Sequence, residues 1–227
     1  MFFARLLLLS TVLGAVPGAA QGAPPARLVY AAGRVTVEPK GGAAAPAKAG
    51  APLGDGDAVA TGAGATAVVE LADRTRLKLR ESSRLVLNLP SARSTATEIF
   101  LSLGGVFAKV TKRRPGEEFR VTTPTVAAAV RGTRFFTAYG RAGAGGRDLW
   151  VCVDEGVVEV RTSASKGALS VPAGKGVLIK SGRALTKPQA YDWTKKLNWN
   201  MDAGAGSVED KTNLDAAYSD LLDQDYR

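Results

Sequence analysis

The side chains able to do chemistry in this 227-residue chain are few, and their types are restrictive. Histidine is absent, which removes the commonest general base and the commonest nitrogen ligand for metals together. Ser-His-Asp, Cys-His and histidine-zinc chemistries are therefore excluded. Cys152 is the only cysteine, so no intramolecular disulfide can form. Its setting, Leu149-Trp150-Val151-Cys152-Val153, is an apolar strand pattern that favours a buried, inert thiol over a reactive one, which needs a cationic and partly exposed site. Carboxylate or Ser/Lys catalysis stays open in principle. Yet Asp154 and Glu155 are adjacent, so on a strand they would point to opposite faces, and no S-x-x-K pattern stands in a credible context. The chain reads as a non-enzyme without cofactor or metal.

Three groups of residues are candidates for binding. Gly54-Asp55-Gly56-Asp57 makes a tight acidic turn, because glycine reaches positive φ and aspartate caps its own backbone. Two carboxylates are few for calcium, which takes six to eight oxygens, so the turn-forming role is favoured. Arg131, beside Gly132 and Thr133, would sit at a strand end, where its guanidinium could fork onto Glu155 or Asp154 or stay exposed as an anion site. Lys109, Lys112, Arg113, Arg114 and Arg120 flank a turn at Pro115-Gly116 and form the densest positive cluster of the chain, a candidate contact for a polyanion or simply a solvated hairpin tip.

Charge is divided along the chain. Residues 24–201 carry 27 Lys and Arg against 14 Asp and Glu, whereas residues 202–227 carry 2 against 7. A basic body suggests anionic partners, and an acidic tail can dock on that body, bind a partner or fray. The amino terminus narrows the choice of partner. One Arg5, an apolar run from Leu6 to Val16 and small residues from Pro17 to Ala23 have the form of a secretory signal peptide over residues 1–23. The run is roughly 11 residues against the ~20 needed to span a bilayer, and no cysteine follows the expected cut. The mature chain is thus expected in the periplasm or outside the cell, unanchored. Export argues against nucleic acid and for an envelope protein, an anionic polysaccharide or peptidoglycan.

The elements that must carry these residues read as β throughout. From Arg27 to about Lys180, short Val/Leu/Ile/Phe/Thr segments are punctuated by Gly, Asp and Pro every 8 to 12 residues. Alternation is clearest in Thr75–Arg80 and Arg84–Leu89, which predicts half-buried strands with leucines on one side and a wet polar face on the other. No ten-residue stretch there holds helical periodicity, which excludes a βαβ plan. Gly41–Gly50 and Arg141–Arg147 read as flexible loops. After Pro188, residues 189–199 can form a short amphipathic helix bearing Trp193 and Leu197 that packs back on the body or serves a partner's groove. Ser207-Val208-Glu209-Asp210 offers a capping signal for a second helix with Leu214, Ala217, Tyr218, Leu221 and Leu222 in one stripe.

Several landmarks together resemble the FecR domain family. Ala32-Gly33-Arg34-Val35 is similar to its opening G-x-V strand, and Leu53-Gly54-Asp55-Gly56-Asp57-Ala58-Val59-Ala60-Thr61 to its L-x-x-G-D-x-I-x-T turn. Ala67–Leu77 resembles the A-x-L-x-L-x-D-G-S-x-L hairpin, with Asp73-Arg74-Thr75 in place of Asp-Gly-Ser, and Leu103–Val110 the L-x-x-G-x-V strand. Phe119–Phe135, with Val130-Arg131-Gly132-Thr133, resembles F-x-V-x-T-P-x-A-x-A-x-V-R-G-T-x-F, and Val153-Asp154-Glu155-Gly156-Val157-Val158-Glu159-Val160 resembles V-x-E-G-x-V-x-V. The resemblance implies a β-roll or short β-helix of about 10 to 12 strands over residues 24–183, with a jelly-roll sandwich as the alternative; the residue pattern adds a helical acidic extension over 184–227. It implies an exported interaction or scaffold module, or alternatively a regulator coupled to an outer-membrane receptor or sigma-factor pathway. Gly54, Asp57, Asp73, Arg131, Gly132, Thr133, Glu155 and Gly156 are its motif residues here, with Lys112, Arg113 and Arg114 as the added basic candidates.

Overall fold

The computed structural model of the protein describes residues 24–91, 94–111, 116–143, 146–183 and 185–223. The signal peptide expected at 1–23 lies outside them, as do Lys112, Arg113 and Arg114. The chain opens with β1 (Ala26–Ala32), β2 (Val35–Glu38), β3 (Ala45–Pro46), β4 (Pro52–Leu53) and β5 (Ala58–Thr61). Next come β6 (Thr66–Leu71), β7 (Arg76–Leu79), β8 (Arg84–Asn88) and the long β9 (Thr97–Lys109). The remaining strands are β10 (Phe119–Thr122), β11 (Val126–Val130), β12 (Arg134–Gly143), β13 (Gly146–Glu155), β14 (Val157–Thr162), β15 (Leu169–Pro172) and β16 (Gly176–Ile179). Two short helices close the chain, α1 (Trp193–Lys196) and α2 (Leu214–Asp223). The class is all-β, as the alternation predicts. The described residues form sixteen strands where 10 to 12 were expected; two of the additional ones, β3 and β4, have only two residues each and carry no periodicity to read.

Strand pairing builds two layers that share β9. The first sheet runs β4-β1-β6-β7-β9-β12-β13-β16 and the second β3-β2-β5-β8-β9-β10-β11-β14-β15. The chain passes from one layer to the other after almost every strand or hairpin, which is the winding of a roll. Pairing is antiparallel except between β9 and β10. Gly104 permits β9 to change layers. It has φ +88°, and a Cβ there would lie 2.5 Å from the Cα of Ser83, so neither the backbone angle nor the space admits a side chain.

Alternation then decides what lies between the layers. Leu28, Val69, Leu77, Leu79, Phe135 and Val151 from the first sheet meet Val59, Leu85, Leu87, Ile99, Phe119 and Val158 from the second in one buried cluster. Most of these are Val and Leu, which suit closely stacked sheets. The edges are blunted. Pro46, Pro52 and Pro172 sit in the edge strands β3, β4 and β15, and the fourth edge, β16, exchanges two backbone hydrogen bonds between Gly176 and Gln189. Gly41–Gly50, expected to be a flexible loop, is tied down instead: Ala47 N–H donates to Val35 O (2.9 Å) and Gly50 N–H to Leu28 O (2.7 Å). In the second expected loop the strands β12 and β13 continue further than composition suggests, with Ala142 paired to Arg147 and Gly143 to Gly146.

A strap formed by residues 189–223 covers the outer face of the first sheet. Val68, Phe107, Phe136, Trp150 and Leu178 of that face pack against Tyr191, Leu197, Met201, Val208, Ala217 and Tyr218 of the strap. The rings interlock edge to face, with Phe136–Trp150 at 5.5 Å and Phe107–Trp199 at 5.3 Å between centroids. The first predicted helix is reduced to the four residues of α1, since Leu197 is extended. The second begins at Leu214, and its cap is Asn213, whose Oδ1 accepts from Ala216 N–H (3.0 Å), not the Ser207 signal. Ala217 and Tyr218 of its predicted stripe are buried, and the Tyr218 hydroxyl donates to Ala138 O (3.1 Å).

Candidate binding surfaces

The acidic turn serves its own backbone. Asp57 accepts from Gly54 N–H (2.7 Å) and Lys40 N–H (3.0 Å), and Asp55 accepts from Leu89 N–H (2.9 Å). Asp73 accepts from Thr75 N–H (3.0 Å) in the next hairpin. Among the described residues, no three Asp, Glu or Cys side chains come together as a metal site would require.

Structure brings the two most specific motifs into contact. Gly156 has φ +83°, and a Cβ there would lie 2.7 Å from Thr133 Cγ2 and 3.0 Å from Gly132 O, so the chain packs backbone on backbone where Arg131-Gly132-Thr133 meets Glu155-Gly156. Thr133 is buried and its carbonyl accepts from Val110 N–H (2.8 Å). The expected pairing of Arg131 with Asp154 or Glu155 is not what forms. Arg134 takes both carboxylates instead, with its Nη2 2.7 Å from Glu155 Oε1 and a close contact to Asp154. The reason is a β-bulge: Arg134 pairs with Glu155 and Phe135 with Val153, so Asp154 is the extra residue. The bulge also turns adjacent carboxylates, expected on opposite faces, toward one guanidinium. Arg131 is left exposed.

Beneath the strap, the supposed wet face of β7 is dry. Lys78 is fully buried, with its ammonium 4.2 Å from the Phe107 ring centroid, and it donates to the carbonyls of Asn198 and Asn200 (2.9 Å to the latter). Burial lowers its pKa from 10.5 to about 8, with Asp210 acting in the opposite direction. Arg80, two residues on, donates to Thr212 O (2.6 Å), and its Nε lies 2.9 Å from Asp210 Oδ2. Asp210 in turn accepts from Asn198 N–H and the Thr212 hydroxyl, both at 2.9 Å. These residues escaped the sequence reading, and the one signal for them was the contrast between a basic body and an acidic tail. Cys152 lies on the same covered face, accepting from the Thr194 hydroxyl (3.1 Å), and burial pushes its thiol up to about 12.

The outer face of the second sheet is open. A groove of about 890 Å3 crosses β9, β10, β11 and β14. Its floor is the small pair Ala127 and Ala129; Arg120, Arg131, Glu159 and Arg161 border it, and Val157 is 45% exposed at its end. Lys109 and Arg120, expected in one basic cluster, lie on the outer faces of different sheets, because Lys109 is in the first-sheet half of β9 and β10 is in the second sheet. Among the described residues no helix is long and apolar enough to cross a membrane.

Comparison with known proteins finds a family match within this architecture. Residues 57–159 match the family model described as FecR protein. Over that stretch the chain is similar to the FecR family. Two crystal structures from Parabacteroides distasonis ATCC 8503, each of a protein described as a candidate anti-sigma factor, share its fold. Their TM-scores are 0.51 and 0.50, with 18% identity and 72% of each chain covered in both comparisons. No curated protein matches the chain. The matched FecR segment runs from Asp57 at the acidic turn to Glu159 in β14. It therefore contains most of the groove residues, whereas the strap lies beyond it.

Proposed function

We propose that the protein is an exported signal-transduction regulator of the cell envelope, acting as a non-enzymatic module that binds another protein across the open face of its second sheet. The observation that carries this reading is the FecR match over residues 57–159, the stretch that builds the groove floored by Ala127 and Ala129. The shared fold with two candidate anti-sigma factors supports regulation over a purely structural scaffold. Geometry favours a face over an edge as the contact, since prolines occupy three edge strands, and the strap covers the apolar centre of the other sheet's outer face. A residue-lined, shallow, mixed-charge groove suits a protein partner better than a small molecule.

The test is Ala129→Arg, which fills the groove without touching the core between the sheets. Deleting the gene should shift transcripts of a confined set of genes, wild type should restore them and Ala129→Arg should not, although its circular dichroism is unchanged. Full complementation by Ala129→Arg would overturn the site, and transcripts unaffected by deletion would overturn the regulatory reading.

A further inference from the structure

We infer a second binding site, for a carboxylated saccharide, on the uncovered end of the first sheet. Pairing places Arg76, Lys109 and Arg134 directly opposite one another on three neighbouring strands. Side chains so placed stand ~5 Å apart at Cβ and like charges there repel. The two flanking cations are compensated. Arg76 Nε is 2.8 Å from Glu70 Oε2 and its Nη1 3.8 Å from Asp202 Oδ2, while Arg134 is held by Asp154 and Glu155. Lys109, between them, is exposed and has no carboxylate partner among the described residues. Arg74, 82% exposed, has among the described residues only the Glu70 carboxylate that Arg76 already uses. An anion over Lys109 would relieve this repulsion, and the arginines offer planar forks that match a carboxylate.

The surroundings specify more than an anion. These cations line a cavity of about 530 Å3, far larger than a bare carboxylate or phosphate. Trp199 forms part of its wall, held in place by its Nε1–H donating to Thr194 O (3.1 Å) and by edge contact with Phe107. A fixed indole is a surface on which the apolar C–H face of a pyranose can stack. Glu70 and Asp202 also line the cavity, while Asp154 and Glu155 do not. Such carboxylates accept from sugar hydroxyls and repel a polyanion, so the set fits a ligand with one negative charge and several hydroxyls better than a polyphosphate or an acidic peptide. The inference does not rest on the regulatory reading: its residues are not those of the Ala129 groove, and either can fail alone.

Saturation-transfer NMR on the purified protein, with glucuronate as probe and glucose, inorganic phosphate and an oligoglutamate peptide as competitors, tests it. Glucuronate should bind, glucose should compete poorly, and phosphate and the peptide should not displace it at matched ionic strength. Lys109→Gln and Arg74→Gln, both at exposed positions, should each weaken binding, by about tenfold for Lys109→Gln, the order set by one charge-assisted hydrogen bond. Absence of glucuronate binding, equal affinity in Lys109→Gln, or equal competition by glucose, phosphate or the peptide would each overturn the assignment.

Discussion

Replacing Asp210 by alanine tests how the strap is held. Side-chain exposure of Arg80 and Asp210 is 5% and 1%, so the substitution leaves a guanidinium buried without its counter-ion and removes the acceptor of Asn198 N–H and of the Thr212 hydroxyl. Breaking one partner out of a buried pair costs about 3–5 kcal/mol, which is roughly 150- to 5,000-fold in the equilibrium for strap opening. That cost falls on contacts between residues 189–223 and the first sheet, so the loss should appear first as local opening. Trypsin cleavage at the exposed Lys195, Lys196 and Lys211 is the direct assay, with the emission of Trp199 and urea unfolding read alongside. Cleavage should accelerate by a factor in that range. In Arg80→Met/Asp210→Leu, which removes both charges, most of the loss should be recovered. A destabilisation below about 1 kcal/mol with unchanged cleavage, as for an exposed pair, would refute the claim that this ion pair clamps the strap.

The buried Lys78 makes a prediction about pH. Its folded pKa of about 8 lies below the unfolded value of 10.5, so between these limits the unfolded chain binds more protons and wild type should gain stability with rising pH. Tyr191 and Cys152, both pushed up to about 12, act in the opposite sense at high pH; the comparison is therefore wild type against Lys78→Met, and a stability difference that is flat from pH 8 to 10.5 would sink the argument. Cys152 should resist a thiol reagent in the native protein and react promptly in urea; stoichiometric labelling without denaturant would contradict its burial. Gly156→Ala forces a side chain to φ +83° against Thr133 and should cost about 1–3 kcal/mol in thermal or urea unfolding. A neutral result would mean that the junction of the two motifs is looser than its distances indicate.

The sequence was sufficient for properties that depend on residue type and near-neighbour pattern. Missing histidine and a lone cysteine removed whole chemistries, strand periodicity specified an all-β chain, and Gly54–Asp57, Gly132 and Gly156 marked turns whose backbone needs are local. Tertiary structure alone decided which polar faces meet water. The alternation of Arg76, Lys78 and Arg80 is the same whether solvent or a strap lies above it, and only contacts 120 or more residues away, at Asn198, Asp210 and Thr212, bury Lys78 and Arg80. The bulge opposite Arg134 likewise reassigned Asp154 and Glu155 from Arg131, because a one-residue shift in pairing redirects side chains in a way that spacing along the chain cannot reveal. Composition thus bounded what the protein can do, whereas packing determined that one sheet face is closed by the chain itself and the other is left open.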